Sequence, residues 1–186
     1  MYPKMGLRKT SNSADIFMVR RGETMGKYTT KYFGEITIDE SSDFEFIETS
    51  YRNQAIHISL SDCSLYGPEL KTCLGILDRY AEIDVMARKA ILENFPGDET
   101  VAYYFECHFD SLEEEFLMKI FGVQRFDEFD IARTTAGLGY PDLLFGIEDG
   151  KINFSVDYMV SKDYSDEILC VKMDRDLNVT GFSHES

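Results

Sequence analysis

Residues 107–115 read Cys-His-Phe-Asp-Ser-Leu-Glu-Glu-Glu, which puts a thiol, an imidazole and four carboxylates within nine positions. Those are the donor types a transition metal binds, and a thiol beside an imidazole is also the pairing that activates a cysteine nucleophile. The spacing argues against both readings. Neighbours on a helix diverge by about 100°, so Cys107 and His108 cannot face each other as nucleophile and base. A zinc site on His108 would need further ligands from His57, His184 or distant carboxylates. Ser111-Leu112-Glu113-Glu114 instead has the form of a capping box: one helix should break at Asp110 and another restart, with Glu113, Glu114 and Glu115 in its first turn, where the macrodipole favours negative charge. The stretch is expected to be a joint between helices, with His108 a satisfied, partly buried histidine and no metal or other cofactor bound.

Other constellations are weaker still. Asp174, Asp176, Asn178 and Glu185 match positions 1, 3, 5 and 12 of a calcium loop, but the sixth position is Val179 where the turn demands Gly, so a solvated hairpin turn is expected. Gly137-Leu138-Gly139 leads into Pro141 and not into a helix, which is the wrong context for a phosphate cradle. His57 alternates with Ile56 and Ile58, placing it on the exposed side of a strand. The four cysteines, Cys63, Cys73, Cys107 and Cys170, form no C-x-x-C pair and read as reduced, buried thiols.

Charge gives a broader signal. The chain of 186 residues carries a formal net charge of −15. Residues 1–31 hold seven Lys/Arg (Lys4, Arg8, Lys9, Arg20, Arg21, Lys27, Lys31) against Asp15 and Glu23, a net of +5, so the remainder carries −20. Such a body repels phosphate backbones and favours a basic protein as partner; nucleic acid is not an expected ligand. The acids best placed to meet that partner are Glu113, Glu114, Glu115, Asp127, Glu128 and Asp130. Near the start the longest apolar run is Ile16 to Val19, and no later stretch approaches a membrane span, which predicts a soluble, cytoplasmic protein with no membrane partner.

The elements that must position these groups follow from hydrophobic period. Residues 1–30 show none and read as a basic, flexible head; residues 31–186 read as a single α+β domain. The Arg-Arg-Gly-Glu run ahead of Met25 back-translates to a purine-rich, ribosome-binding-like sequence, so residues 1–24 are either upstream of a native start at Met25 or a genuine basic arm. Intact mass of the natural product, if it includes Met1, removes the first alternative. From Lys31 the period is two: YFGEITI, FEFIETSY and AIHISLS predict a three-strand antiparallel meander. Pro68 then opens an apolar stripe that runs through Leu70, Leu77, Ala87 and Ile91 to Phe95, predicting a helix ended by Phe95-Pro96-Gly97. Asp98 is the expected N-cap of the next helix, with Val101, Tyr104, Phe105 and His108 on its inner side. A short helix is expected around Asp127 to Arg133. LLFGI, KINFSVDYMVS, EILCVKM and NVTGFSH return to strands, with Asp149-Gly150 as a hairpin turn. The sheet should pack against a central group of about three to four helices.

Four of these blocks carry a family likeness: the YFGEITI strand, LDRYAEIDVMARKAILENF, ETVAYYFECHFDSLEEEF, and the terminal VDYMVSKDYSDEILCVKMDRDLNVTGFSHES. They resemble an uncharacterised bacterial domain-of-unknown-function family, number two thousand and four. Its pattern opens on an aromatic-Phe-Gly-Glu strand, has a His-containing helix end before an acidic helix, and closes with an Asp-Tyr strand, a Ser/Thr-Asp turn and a final Glu-Ser. The resemblance covers about Lys31 to Ser186 and departs at Cys107-His108, where the pattern often has two histidines. It implies no activity, and it points to bacterial proteins found near toxin and immunity genes. The resulting expectation is a noncatalytic acidic protein-binding module, of the kind that inhibits a basic toxin as an immunity protein does. Two alternatives remain open: a metal- or carboxylate-dependent hydrolase using His57, His108 and nearby acids, and a structural or regulatory subunit of an assembly.

Overall fold

A computed structural model describes residues 25–42, 44–61, 67–148 and 150–186; Cys63, Asp149 and residues 1–24 lie outside the described residues. Two strands, β1 (Met25–Thr30) and β2 (Gly34–Asp39), pair with each other as a separate hairpin. Six more make one sheet in the order β3 (Phe44–Tyr51), β4 (Gln54–Ser61), β5 (Asp142–Glu148), β6 (Lys151–Tyr158), β7 (Ile168–Asp174) and β8 (Val179–Glu185). Every neighbouring pair in it is antiparallel except β4 and β5, which run parallel in the register Ile58↔Leu143 to Leu60↔Phe145. Between β4 and β5 the chain makes α1 (Pro68–Leu77), α2 (Tyr80–Asn94), α3 (Glu99–Ser111), α4 (Glu114–Ile120), a 3-10 turn (Phe126–Glu128) and α5 (Ile131–Gly137). The fold is therefore α+β, with helices on one face of a largely antiparallel sheet.

Alternation decides which face is which. Ile56, Ile58 and Leu60 on β4, Leu143 and Phe145 on β5, Phe154, Val156 and Tyr158 on β6, and Leu169, Val171 and Met173 on β7 are all buried under the helices. Their intervening neighbours form the outer face, where register aligns Phe46, Ser59, Leu144, Ser155 and Lys172 in one row and Glu48, His57, Asp142, Asp157, Cys170 and Ser183 in the next. Phe44, Phe46 and Leu144 are exposed there. The β3–β4 turn at Arg52-Asn53 has positive φ at both residues, 50° and 68°, the geometry whose twist suits a two-residue hairpin loop.

Several local expectations change. The three-strand meander resolves into two hairpins, because β2 takes β1 and not β3 as its partner. Met25–Thr30, assigned to the flexible head, is that partner strand. Its polar composition concealed it, and Ile36 and Ile38 on β2 supply the buried side. The Pro68 helix is two helices, with Asp78 and Arg79 between them. There the Asp78 carboxylate accepts from the Lys31 N–H at 2.7 Å and Arg79 N–H turns back to Ile76 O at 2.8 Å. Asp98 caps α3 as expected, accepting from the N–H groups of Thr100 and Val101.

The capping box does not form. Ser111 is the last residue of α3, and its hydroxyl donates back to Cys107 O at 2.8 Å, so Glu113 is the N-cap of α4 and provides no side-chain cap. The break falls at Leu112-Glu113 and not at Asp110.

Candidate functional site

The six acids named from the sequence all fall on one segment, residues 113–130, and all six are exposed. Glu113 precedes α4, Glu114 and Glu115 open its first turn, Asp127 and Glu128 lie in the 3-10 turn, and Asp130 caps α5 by accepting from Arg133 N–H at 3.0 Å. Arg125 engages Asp127 through two guanidinium nitrogens, and Gln124 donates to Glu114 at 3.2 Å. The inner side of the segment is aromatic. Phe121 lies 4.9 Å from Phe109 and 5.7 Å from Phe129, Phe129 lies 5.2 Å from Phe105, and Phe126 is 5.5 Å from Phe109, ring centre to ring centre. These rings fix the backbone that displays the acids.

His57 and His108 do not share a site. His57 is on the outer face of the sheet, stacked on Phe46 at 5.3 Å with its Nδ1 3.3 Å from Asp142 Oδ2. Asp142 also accepts from His57 N–H at 2.8 Å and from Lys162 Nζ at 2.8 Å. Its carboxylate is thus spent clasping β4 to β5 where the parallel pairing begins. His108 is fully buried on the helix side. Its Nδ1–H donates to Tyr104 O at 2.7 Å and its Nε2 accepts from the Ser165 hydroxyl at 2.9 Å, so both ring nitrogens are satisfied and burial holds its pKa below the usual imidazole value.

Beside Asp142 in the outer row is Asp157, whose Oδ1 is sealed from solvent with no hydrogen-bond partner among the described residues. Burial pushes its pKa up, with Ser155 and Cys170 pulling partly the other way. The folded carboxyl therefore titrates above its unfolded value, so its contribution to stability is present in acid and lost as pH rises through the folded pKa. Asp157→Asn should raise the melting temperature by a few degrees at about pH 7 and by much less at about pH 3, below the unfolded carboxyl's pKa. Thermal melts of both proteins at the two pH values measure the difference; equal shifts would remove the titration argument.

A third cluster joins residues that no local pattern connects. Cys107 on α3, Glu167 just before β7 and His184 on β8 bring a sulfur, a carboxylate oxygen and an imidazole nitrogen within 4.8 Å of one another. His184 Nε2 and Glu167 Oε2 are in direct hydrogen-bonded contact. Cys107 Sγ donates to Tyr104 O at 3.1 Å, and its pKa is pushed up to about 11, first by burial and then by the nearby Glu167 charge. At neutral pH it is a thiol and a poor nucleophile. The sequence reading missed Glu167 and weighed His184 only as a distant ligand for His108; the one available signal for placing it here was that His184 falls in phase with Phe182 on β8, whose register partner Val171 is core. His184 also lines an open cleft with Glu99, Thr100, Tyr103, Phe182 and Ser183.

The calcium-like loop closes on itself. Asp174 accepts from the N–H groups of Asp176 and Asn178, both at 2.9 Å, and from the Asn178 side chain, which holds its carboxyl below the usual range. Glu185 ends β8, roughly 20 Å of strand away from the turn. Comparison with known proteins finds no matching family model, no matching curated protein and no matching solved structure.

Proposed function

We propose that the protein is a noncatalytic acidic binding module that docks a basic protein in the cytoplasm, as an immunity protein docks a toxin. The observation that carries this reading is the 113–130 segment: six exposed carboxylates on a backbone whose other side is locked by Phe105, Phe109, Phe121, Phe126 and Phe129. A display held rigid before binding loses little entropy on docking, and opposite charge steers a basic partner toward it. The groups that could do covalent chemistry are quiet by comparison. Cys107 and Cys170 are both pushed up by burial, His108 is satisfied at both nitrogens, and Asp142 is saturated by donors. The comparison with an immunity protein extends the expectation raised by the sequence resemblance of Lys31 to Ser186. No helix among the described residues is long and apolar enough to cross a membrane.

Affinity capture from the native host at low and high salt tests this, with a Glu113→Gln, Glu114→Gln, Glu115→Gln, Glu128→Gln variant in parallel. One basic protein should be recovered at low salt, released at high salt, and its association with the variant should slow by about tenfold or more. Equal capture by the variant would remove the acidic segment from the interface. A second reading, a subunit of an assembly, draws on Phe44, Phe46 and Leu144, which are exposed on the outer sheet face. Capture that survives high salt and is lost with Phe46→Glu would favour it over the first.

A further inference from the structure

We propose that Cys107, Glu167 and His184 form a binding site for one divalent transition-metal ion of the zinc class. The three donors come from separate elements, α3, the segment before β7, and β8, and no two of their ligand atoms are more than 4.8 Å apart. Zinc held at about 2.0–2.3 Å by sulfur, nitrogen and oxygen sets its ligands about 3.3–3.8 Å from each other. His184 and Glu167, in hydrogen-bonded contact, must open to that spacing while Cys107 closes on them, small side-chain motions in both cases. A soft thiolate, a borderline imidazole and one carboxylate select zinc or cobalt over calcium or magnesium. Three protein ligands leave one position for water.

The surroundings hold this geometry as a second layer of ligands would. The His108 ring accepts from the Ser165 hydroxyl, and Ser165 Oγ in turn accepts from Glu167 N–H at 3.2 Å, so a fully buried histidine anchors the backbone that carries Glu167. The rings of Tyr103 and Tyr104 flank His184 at 5.4 and 5.7 Å and restrict its rotation. Binding releases the Cys107 thiol proton to solvent, and the ion displaces the proton between His184 Nε2 and Glu167, the neutral imidazole carrying its proton on Nδ1 instead. The Tyr104 carbonyl that the thiol contacts stays satisfied, because His108 Nδ1–H also donates to it.

The test uses the full chain, stripped of metal with a chelator and titrated with Zn2+ by calorimetry and with Co2+ by absorption. One Zn2+ per chain should bind, and Co2+ should give a thiolate-to-metal band in the near ultraviolet together with visible bands of a four-coordinate ion. Glu167→Gln and His184→Gln should each weaken Zn2+ by roughly 100-fold or more. Cys107→Ser should do the same and abolish the near-ultraviolet band, with far-ultraviolet circular dichroism confirming the fold. If Cys107→Ser does not fold, Cys107→His provides the readout, keeping one Zn2+ per chain while losing the sulfur band. No saturable binding, or an unchanged cobalt spectrum in either Cys107 variant, overturns the site.

Discussion

Replacing Arg88 with Met is expected to destabilise the protein by about 3–5 kcal/mol, because it strands a buried carboxylate. From sequence the Asp84–Arg88 pair reads as an ordinary helix-surface contact worth a few tenths of a kcal/mol. In the folded protein the two side chains are only 12% and 17% exposed, with Arg88 Nε 2.8 Å from Asp84 Oδ1. The guanidinium also donates to the carbonyls of Thr135, Leu138 and Gly139, tying the end of α5 and the loop after it to α2. The same Asp84 Oδ1 also accepts from the Tyr158 hydroxyl at 2.7 Å, which reaches through the core from β6. Met fills much of the arginine stem's volume but leaves Asp84 charged and three carbonyls without their donor. Urea denaturation should show the loss as a lower midpoint at unchanged slope. The double variant Asp84→Leu, Arg88→Met should recover a large part of it, since removing both charges avoids the stranded one. A loss below about 1 kcal/mol for Arg88→Met would mean that water reaches Asp84 and that the network is not a hub.

Phe105→Ala should cost a similar amount, about 3–5 kcal/mol, for a different reason. Phe105 is fully buried at the centre of the ring cluster, 6.0 Å from Phe95, 5.2 Å from Phe129 and 4.9 Å from Tyr104. Truncation opens a cavity that rings held from several elements cannot collapse to fill. Because Phe129 and Phe121 anchor the acidic segment, the damage should also be local. Amide exchange between residues 113 and 130 should accelerate more than in the sheet, and Phe105→Leu should cost less than half as much as alanine. Uniform acceleration across the chain would show that the segment is not held by this cluster.

What the sequence displays and what it hides follow from how far apart the interacting residues lie. Strands β4 and β6 announce themselves by alternation, β5 and β7 by short apolar runs, and α3 by the Asp98 cap and the Val101, Tyr104, Phe105, His108 stripe, because each pattern is complete within a dozen residues. The turn at Asp78-Arg79 leaves no mark: the apolar stripe continues across it, and the stabilising partner of Asp78 is Lys31, 47 residues earlier. Ser111 satisfies a capping pattern on paper, yet its hydroxyl finds the Cys107 carbonyl one turn back. The six acids were readable as exposed because charge has few other places to go, whereas the aromatic floor beneath them needed the tertiary packing of α3 against α4 and the 3-10 turn. The Cys107, Glu167, His184 cluster was hidden most thoroughly. Its members are separated by 60 and 17 positions, and Glu167 reads simply as the first residue of the EILCVKM strand.

The parallel junction of β4 with β5 has a kinetic consequence. All the helices of the described residues are threaded between these two strands, so the sheet cannot be joined until about eighty residues have closed into a loop. The β3–β4 hairpin can form early from local contacts, as can the β5–β8 meander, but the seam between them has high contact order and sets the pace of folding. During synthesis on the ribosome, β4 must wait with an unpaired edge until β5 emerges. The Asp142 clasp onto His57 lies at the start of that seam, where the last and slowest pairing has to find its register.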